Sequence, residues 1–526
     1  MLIQNPALFW LDFLFFHKNT YLCNFNVFSP ILSLPSLPFY DMMCLFSVSA
    51  RNMSTDGGQI SVFCVEVYIV NEKRSSFSSR IGFVMAAAGS AVGLGNLWRF
   101  PYLAAKYGGG IFLLCYVLLA VTFGLTLMIT EIAIGRKTRT SCINAYEKLD
   151  KRFGFLGPLS AIVPILIVPY YCVIGGWVVK YMMEYILGNG VSLTNDAYFT
   201  DFITVAQTGV SGSPFFWFLI FVLITAVVVL MGVEKGIEKG STFMMPVLIV
   251  LCIIVAGYSL TLPGAMDGLK FYLMPDFSKF SVSTLLGAMG QLFYSNSLAM
   301  GIMITYGSYM KREDNLEKSV GQIEIFDSGV AFLAGLMVVP AVVAFNGGDP
   351  STISAGPGLM FGVLPKVFDS MGMGSLIGIL FFVLVFFAAL TSSISLLETV
   401  VSIVQDKLRC SRTVGIFGVT AFTVALGALS CYGYGPLSHI APMGMAFLDF
   451  FDFMTNSILM PIIAFITCVV VGHVIGTKVI VEEVESAGHK FHLKKMHSVM
   501  VRWIAPIIVA SILAGEVAKY LGLLQI

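Results

Sequence analysis

Charge is what this 526-residue chain has least of: Asp, Glu, Lys and Arg make up 12% of it, against 57% for apolar residues. Mean hydropathy is +0.87. So little charge excludes an ordinary soluble domain and leaves a polytopic membrane protein. A net charge of +1 offers no basic face to nucleic acid, so no such partner is expected. The ten cysteines are scattered singly, with Cys115, Cys172, Cys252 and Cys468 inside apolar runs. Without CxxC or other metal-ligand spacing they imply neither zinc nor a disulfide framework, and they read as small apolar filler. Of six histidines, His489, His492 and His497 share one basic loop, which reads as a solvated charged face. No HExxH, GxSxG or P-loop spacing is present, and GPGLMFG at 356–362 has the wrong glycine interval for a dinucleotide fingerprint. An enzyme is therefore not expected.

Two stretches, 189–213 and 431–441, lack lysine and arginine altogether. On the opposite side lie Arg136, Lys137, Arg139, Lys148, Lys151, Arg152, Lys235, Lys239, Lys311, Arg312, Lys407, Arg409, Arg412, Lys494 and Lys495. The positive-inside rule then puts the N-terminus in the cytoplasm and the C-terminus outside. Eleven apolar spans are predicted, near 81–106, 111–135, 158–187, 214–232, 241–262, 284–309, 318–346, 372–404, 413–430, 444–474 and 500–521. Residues 1–70 differ, since their apolar pieces are broken by Pro30, Pro35 and Pro38 and none reaches the roughly 20 residues of a membrane helix. Lys18 follows the first apolar run, the reverse of a signal peptide. This extension reads as an over-extended gene start or a disordered segment, with Val70 as an alternative initiation site and 71–526 as the functional domain.

Within that domain, RIGFVMAAAGSAVGLGNLWR at 80–99 is apolar enough for lipid, yet Gly89, Ser90, Gly93, Gly95 and Asn96 weaken its centre. Each glycine costs about 1 kcal/mol relative to alanine in a helix. Backbone groups freed at membrane depth survive only against protein or a cavity. A glycine-rich packing face is the alternative reading of the glycines alone. The sixth span, MGQLFYSNSLAMGIMITYGSYM, is interrupted in the same way by Tyr294, Ser295, Asn296 and Ser297. Paired interruptions in corresponding positions of two five-helix halves point to a transporter site at the bilayer midplane. In the eighth span Thr391, Ser392 and Ser395 lie on neighbouring faces. Their hydroxyls either bond back to their own helix or, with carbonyl oxygens, suit a hard cation such as sodium. The seventh span opens with Glu324 and Asp327. An acid inside a span costs about 2.5–3.5 kcal/mol to insert and is a functional candidate by default.

These segments, GSAVGLGNLWRFPY, YGGGIF, GQLFYSNS and ALTSSIS, resemble the neurotransmitter:sodium symporters, particularly their bacterial eleven-helix amino-acid transporters, from about Lys73 to the end. The resemblance implies an all-α fold of two inverted five-helix repeats with broken helices 1 and 6. It implies a first sodium ion on Ala91, Asn96, Ser295 and Asp327, and a second on Gly89, Val92, Ala388, Thr391 and Ser392. The substrate carboxylate would meet the Leu94 and Gly95 amides and Tyr171, and its amino group would meet carbonyls near Tyr294 and Ser297 and the Ser392 hydroxyl. Ile167, Tyr171, Tyr294, Met300, Ser392 and Leu396 would form an adaptable apolar side-chain pocket.

Departures from the family pattern carry further expectations. Gly93 stands where monoamine-transporting members carry an aspartate, which argues for an amino-acid substrate. Tyr116, Gln291 and Ser295 match a chloride site, but Asp327 and Ala331 replace its asparagine and a serine, so the fixed carboxylate would make transport chloride-independent. Arg99 with Asp452 would gate the outside, and Arg74 with Asp406 the inside, helped by Phe77 and Tyr309. Gly236 and Pro246 match a pattern at which span five can unwind. Arg409 and Arg412 are expected to snorkel to the interface. The implied function is sodium-driven import of a neutral, hydrophobic or aromatic amino acid across the plasma membrane, by a monomer or weak oligomer in the lipid bilayer. A transport-dead sensor or a channel is the alternative.

Overall fold

The computed structural model describes residues 43–55, 58–70, 75–347 and 356–521. The chain divides into two units, Met1–Glu72 and Lys73–Ile526. In the first, β1 (Met43–Thr55) and β2 (Gly58–Val70) pair antiparallel, with Met43 opposite Val70 and Thr55 opposite Gly58. The expectations for residues 1–42 and for Arg74 lie outside the described residues.

The described part of the second unit is built from helices. A first helix, α1 (Arg80–Ala91), is followed by α2 (Gly95–Lys106), bent from it by 54°. Then come α3 (Gly110–Thr138), α4 (Leu156–Ile186), α5 (Pro214–Leu230) and α6 (Val233–Ser259). The sixth expected span is two short helices, α7 (Val282–Ser295) and α8 (Ile302–Tyr309), separated by an irregular segment. The remaining long helices are α9 (Leu316–Phe345), α10 (Gly374–Leu408), α11 (Arg412–Tyr432), α12 (Phe447–Val474) and α13 (Lys494–Tyr520). Among the described residues eight helices are long and apolar enough to cross a membrane, or nine when the bent pair is one span. By that measure α5, with 17 residues, and the α7–α8 pair fall short of the eleven expected.

Helix starts follow from their caps. Ser79 accepts a hydrogen bond from the Gly82 amide at the start of α1, and Ser281 does the same for Thr284 at α7, satisfying donors that have no intrahelical partner. Close packing follows from small residues: a Cβ at Gly135 of α3 would strike the Ile304 carbonyl of α8, and one at Gly307 the Ile132 carbonyl of α3. In lipid such contacts, and not hydrophobic burial alone, bring helices together. The first half-helix α1 is enclosed by α6, α9 and α10, which places its broken end at the centre of the bundle.

Two polar groups depart from expectation. Arg412 does not snorkel: its guanidinium meets the buried Glu398 carboxylate at 2.6 and 2.9 Å, because a buried acid is costly without a cation. His497 is not on a solvated face but fully buried, its Nε2 3.0 Å from the Thr130 hydroxyl. Arg136 is also fully buried. Its Nε donates to Glu483 Oε1 at 2.8 Å and its Nη1 to the Asp314 carbonyl at 2.8 Å, while Nη2 reaches the Glu483 carbonyl. The lone cysteines Cys115, Cys172, Cys252 and Cys468 are buried thiols.

Candidate functional site

The two helix breaks face each other. Gln291 Nε2 of α7 donates to the Gly95 carbonyl at 3.1 Å, and Ser297 Oγ donates to the Ser90 carbonyl at 3.2 Å. At the first break Val92 leaves helical geometry (φ −71°, ψ 102°). Asn96 folds its side chain back, accepting from the Gly93 amide at 3.2 Å and donating to Asp327 Oδ1 at 2.8 Å. Ser295 Oγ lies 2.8 Å from both Asp327 oxygens, and the Tyr116 hydroxyl donates to Oδ2 at 3.3 Å. Asn96 and Asp327 are fully buried. Among the described residues no Lys, Arg or His makes an ion pair with Asp327. A carboxylate so enclosed by neutral donors is costly unless a cation joins it, which suits the oxygen set to an alkali ion.

The second group of oxygens lies across α1 and α10. Ser392 Oγ sits 3.2–3.4 Å from the carbonyls of Gly89, Ser90 and Val92. Thr391 Oγ1 bonds back to the Phe387 carbonyl at 2.9 Å and the Ala388 carbonyl at 3.1 Å. Gly89 lets the helices approach, since a Cβ there would lie 3.1 Å from Thr391 Cβ. Of the five residues expected around one ion, Ser392 thus meets the Gly89 and Val92 carbonyls across the two helices, while the Thr391 hydroxyl bonds back within α10 to the Ala388 carbonyl; carbonyl and hydroxyl oxygens are the ligand class of a hard cation.

Between the two groups is a cavity lined by Leu94, Gly95, Ile167, Tyr171 and Tyr294 together with Ser297, Met300, Ser392 and Leu396. Ala91, Asn96 and Ser295 reach the same wall. The Tyr171 hydroxyl is buried and faces the Ser392 hydroxyl and the Leu94 backbone. Glycine leaves this wall open at two places: a Cβ at Gly93 would lie 2.8 Å from Ser392 Oγ, and one at Gly95 would lie 2.7 Å from the Tyr294 ring.

The break between α7 and α8 is strained and held. Ser297 and Ala299 have φ of +51° and +59°, a conformation costing an L-residue about 1–2 kcal/mol. Glu131 of α3 accepts from the Ala299 amide at 2.7 Å. Sequence reasoning missed Glu131, although an acid in the apolar run TLMITEIAIG is itself a functional signal. It also missed Glu238, which accepts from the amides of Ser78 (2.7 Å) and Ser79 (3.1 Å) and from both hydroxyls.

The expected gates are only partly assembled. Arg99 and Asp452 make no direct ion pair among the described residues. The Arg99 guanidinium lies 5.2 Å from the Tyr294 ring centroid, a cation–π contact, and Asp452 accepts from Tyr170 at 3.2 Å and Asn456 at 2.6 Å. Neutral donors on its own helix and on α4 thus take up the acid's oxygen. On the other side Asp406 accepts from the Thr140 hydroxyl at 2.8 Å and the Ser141 amide at 2.6 Å. Phe77 packs edge-on against Phe83, Tyr306 and Tyr309.

Facing broken helices around a central cavity, with oxygen clusters at each break, define a secondary transporter of the broken-helix class. The chain belongs to the sodium:neurotransmitter symporter family, whose model matches residues 74–189 and 190–524. It is 38% identical over 394 residues to a sodium-dependent transporter of Bacillus subtilis, covering 74% of this chain and 86% of that protein. It is 28% identical to the human sodium- and chloride-dependent taurine transporter, covering 77% and 72%. Among solved structures it matches MhsT in complex with L-phenylalanine, with a TM-score of 0.75 and 35% identity, covering 84% of this chain and all of that one. The protein is thus a membrane transporter that uses sodium, and not an enzyme.

Proposed function

We propose that this protein is a sodium-driven symporter that imports a neutral, hydrophobic or aromatic amino acid by alternating access, with two sodium ions per cycle and without chloride. The observation that carries this reading is the convergence of the Leu94–Gly95 backbone, the Tyr171 hydroxyl and the Asn96–Ser295–Asp327 group on one cavity. A substrate carboxylate would take the amides and the hydroxyl, and would complete the first sodium shell. Thr391 and Ser392, with the carbonyls of Gly89, Val92 and Ala388, would hold the second ion. Sodium would favour the outward-open form, and the substrate would close it. Ile167, Met300 and Leu396 give the side-chain end an apolar lining, and the phenylalanine bound by MhsT supports that substrate class. Asp327 supplies the negative charge that an anion would otherwise bring, which favours chloride independence.

The reading includes eleven spans in two inverted five-helix repeats, a plasma-membrane location, a cytoplasmic N-terminus and an extracellular C-terminus. A membrane potential of about 100 mV contributes roughly 2.3 kcal/mol per charge, and a tenfold sodium gradient about 1.4 kcal/mol per ion. Two ions would therefore support about five decades of accumulation, and one ion fewer than three.

The test is uptake of radiolabelled tryptophan, tyrosine, leucine and alanine into proteoliposomes with and without a sodium gradient. Saturable, sodium-dependent uptake favouring the larger side chains is expected. Non-saturating flux would replace this reading with a channel, and sodium-dependent binding without uptake would replace it with a sensor.

A further inference from the structure

The residue after Ser295 carries an arrangement that the proposed substrate and sodium sites do not use. Asn296 closes α7: its amide still bonds to the Leu292 carbonyl at 3.0 Å, and the chain then turns into the left-handed Ser297. Its side chain, fully buried, donates from Nδ2 to Glu324 Oε2 on α9 at 2.9 Å. Glu324 is itself buried, and its other oxygen accepts from the Ser328 hydroxyl at 3.2 Å. Room for the pair comes from Gly124 of α3, where a Cβ would lie 2.5 Å from Asn296 Nδ2 and 3.3 Å from Glu324 Oε2. Two consecutive residues at the break, Ser295 and Asn296, are thus tethered to two acids one turn apart on α9, Asp327 and Glu324.

Those tethers have different jobs. Asp327 is at the oxygen cluster with Asn96 and Ser295, whereas the hydrogen bond from Glu324 to the break runs through Asn296. A residue that ends a helix beside a strained turn is free to rotate about its last helical bonds unless its side chain is held. A hydrogen bond to a buried acceptor is a strong way of holding it, because a buried donor left without a partner is costly.

We propose that Glu324 is a positioning residue of the first sodium site: by holding the Asn296 amide in the space left by Gly124, it sets the rotation of the α7 end and keeps Ser295 Oγ facing Asp327. The inference rests on the sodium coupling proposed above. It predicts that sodium affinity depends on the Glu324–Asn296 hydrogen bond, and not on the charge of Glu324 or on the fold as such.

The experiment measures the sodium concentration that half-saturates labelled phenylalanine uptake, and in parallel sodium-dependent thermal stabilisation of the detergent-solubilised full chain, which needs no transport. E324A is expected to raise the half-saturating sodium concentration about tenfold, the effect of one buried donor left without its hydrogen bond, with uptake at saturating sodium nearly unchanged. E324Q, whose amide oxygen accepts the same bond, stays close to the parent. N296D sets two acids against each other and behaves like E324A, while N296D with E324Q restores an acid–amide pair with donor and acceptor exchanged and recovers affinity. The double variant N296L with E324L fills the volume with apolar groups. It tests packing alone: it is expected to fold and still bind sodium weakly. G124A intrudes on the pair from α3 and weakens sodium binding without touching a polar group. If the parent shows sodium-dependent stabilisation and E324A, G124A or the leucine pair matches it, the role of Glu324 is overturned and sodium coupling stands. If the parent shows none, sodium coupling itself fails, and this inference with it.

Discussion

Asn96 and Asp327 stand 231 positions apart in the chain and share a hydrogen bond of 2.8 Å at the centre of the helical unit. The amide on one broken helix thereby orients the acid on an unbroken one. Ser295, on the second broken helix, meets the same acid. Three elements converge on one carboxylate, so a movement of either break changes its surroundings.

Removing that charge while keeping the shape isolates its role. Asp327→Asn is expected to raise the half-saturating sodium concentration by about a hundredfold, the order of losing one partner of a buried charge pair. Radiolabelled uptake against sodium concentration measures it, and an unchanged curve would place the ion elsewhere.

The second oxygen group makes a separate prediction. Thr391→Val removes one hydroxyl with little change in volume, and should lower the cooperativity of sodium activation from about two ions to about one. The Hill slope of the uptake curve decides this, and a slope kept at the parent value would refute a sodium role for Thr391.

A single methyl group tests the cavity wall. In Gly93→Ala the new carbon lies 2.8 Å from Ser392 Oγ and 3.1 Å from the Tyr171 hydroxyl, closer than ordinary contact. The substrate KM should rise by about tenfold or more, since overpacking typically costs 1–3 kcal/mol. Competition binding of phenylalanine measures the loss apart from transport.

Anion replacement addresses the fixed charge. With chloride exchanged for gluconate, initial uptake rates by the parent should not change if, as proposed, Asp327 supplies the charge an anion would otherwise bring. Stimulation by chloride would count against the reading.

Stability has its own test far from the cavity. Arg136→Ala leaves Glu483 buried without its partner, and breaking a buried pair costs about 3–5 kcal/mol. The detergent-solubilised variant should melt well below the parent, whereas Arg152→Ala, an exposed side chain paired with Asp150, should melt like it.

What the sequence determined by itself was everything set by composition and local pattern. Scarce charge and long apolar runs required a membrane protein. Glycines at 89, 93 and 95 and the polar run at 294–297 marked both breaks, because a helix weakens where its own residues disfavour it, whatever surrounds it. The tertiary structure decided the partners. Arg412 finds Glu398, Arg99 lies on Tyr294 without pairing directly with Asp452, and His497 is enclosed against Thr130. Glu131 and Glu324 hold the second break from two different helices. Hydrogen bonds and ion pairs act over about 3–4 Å, and which side chains come that close across 14 to 367 positions depends on how helices pack, which no local pattern encodes.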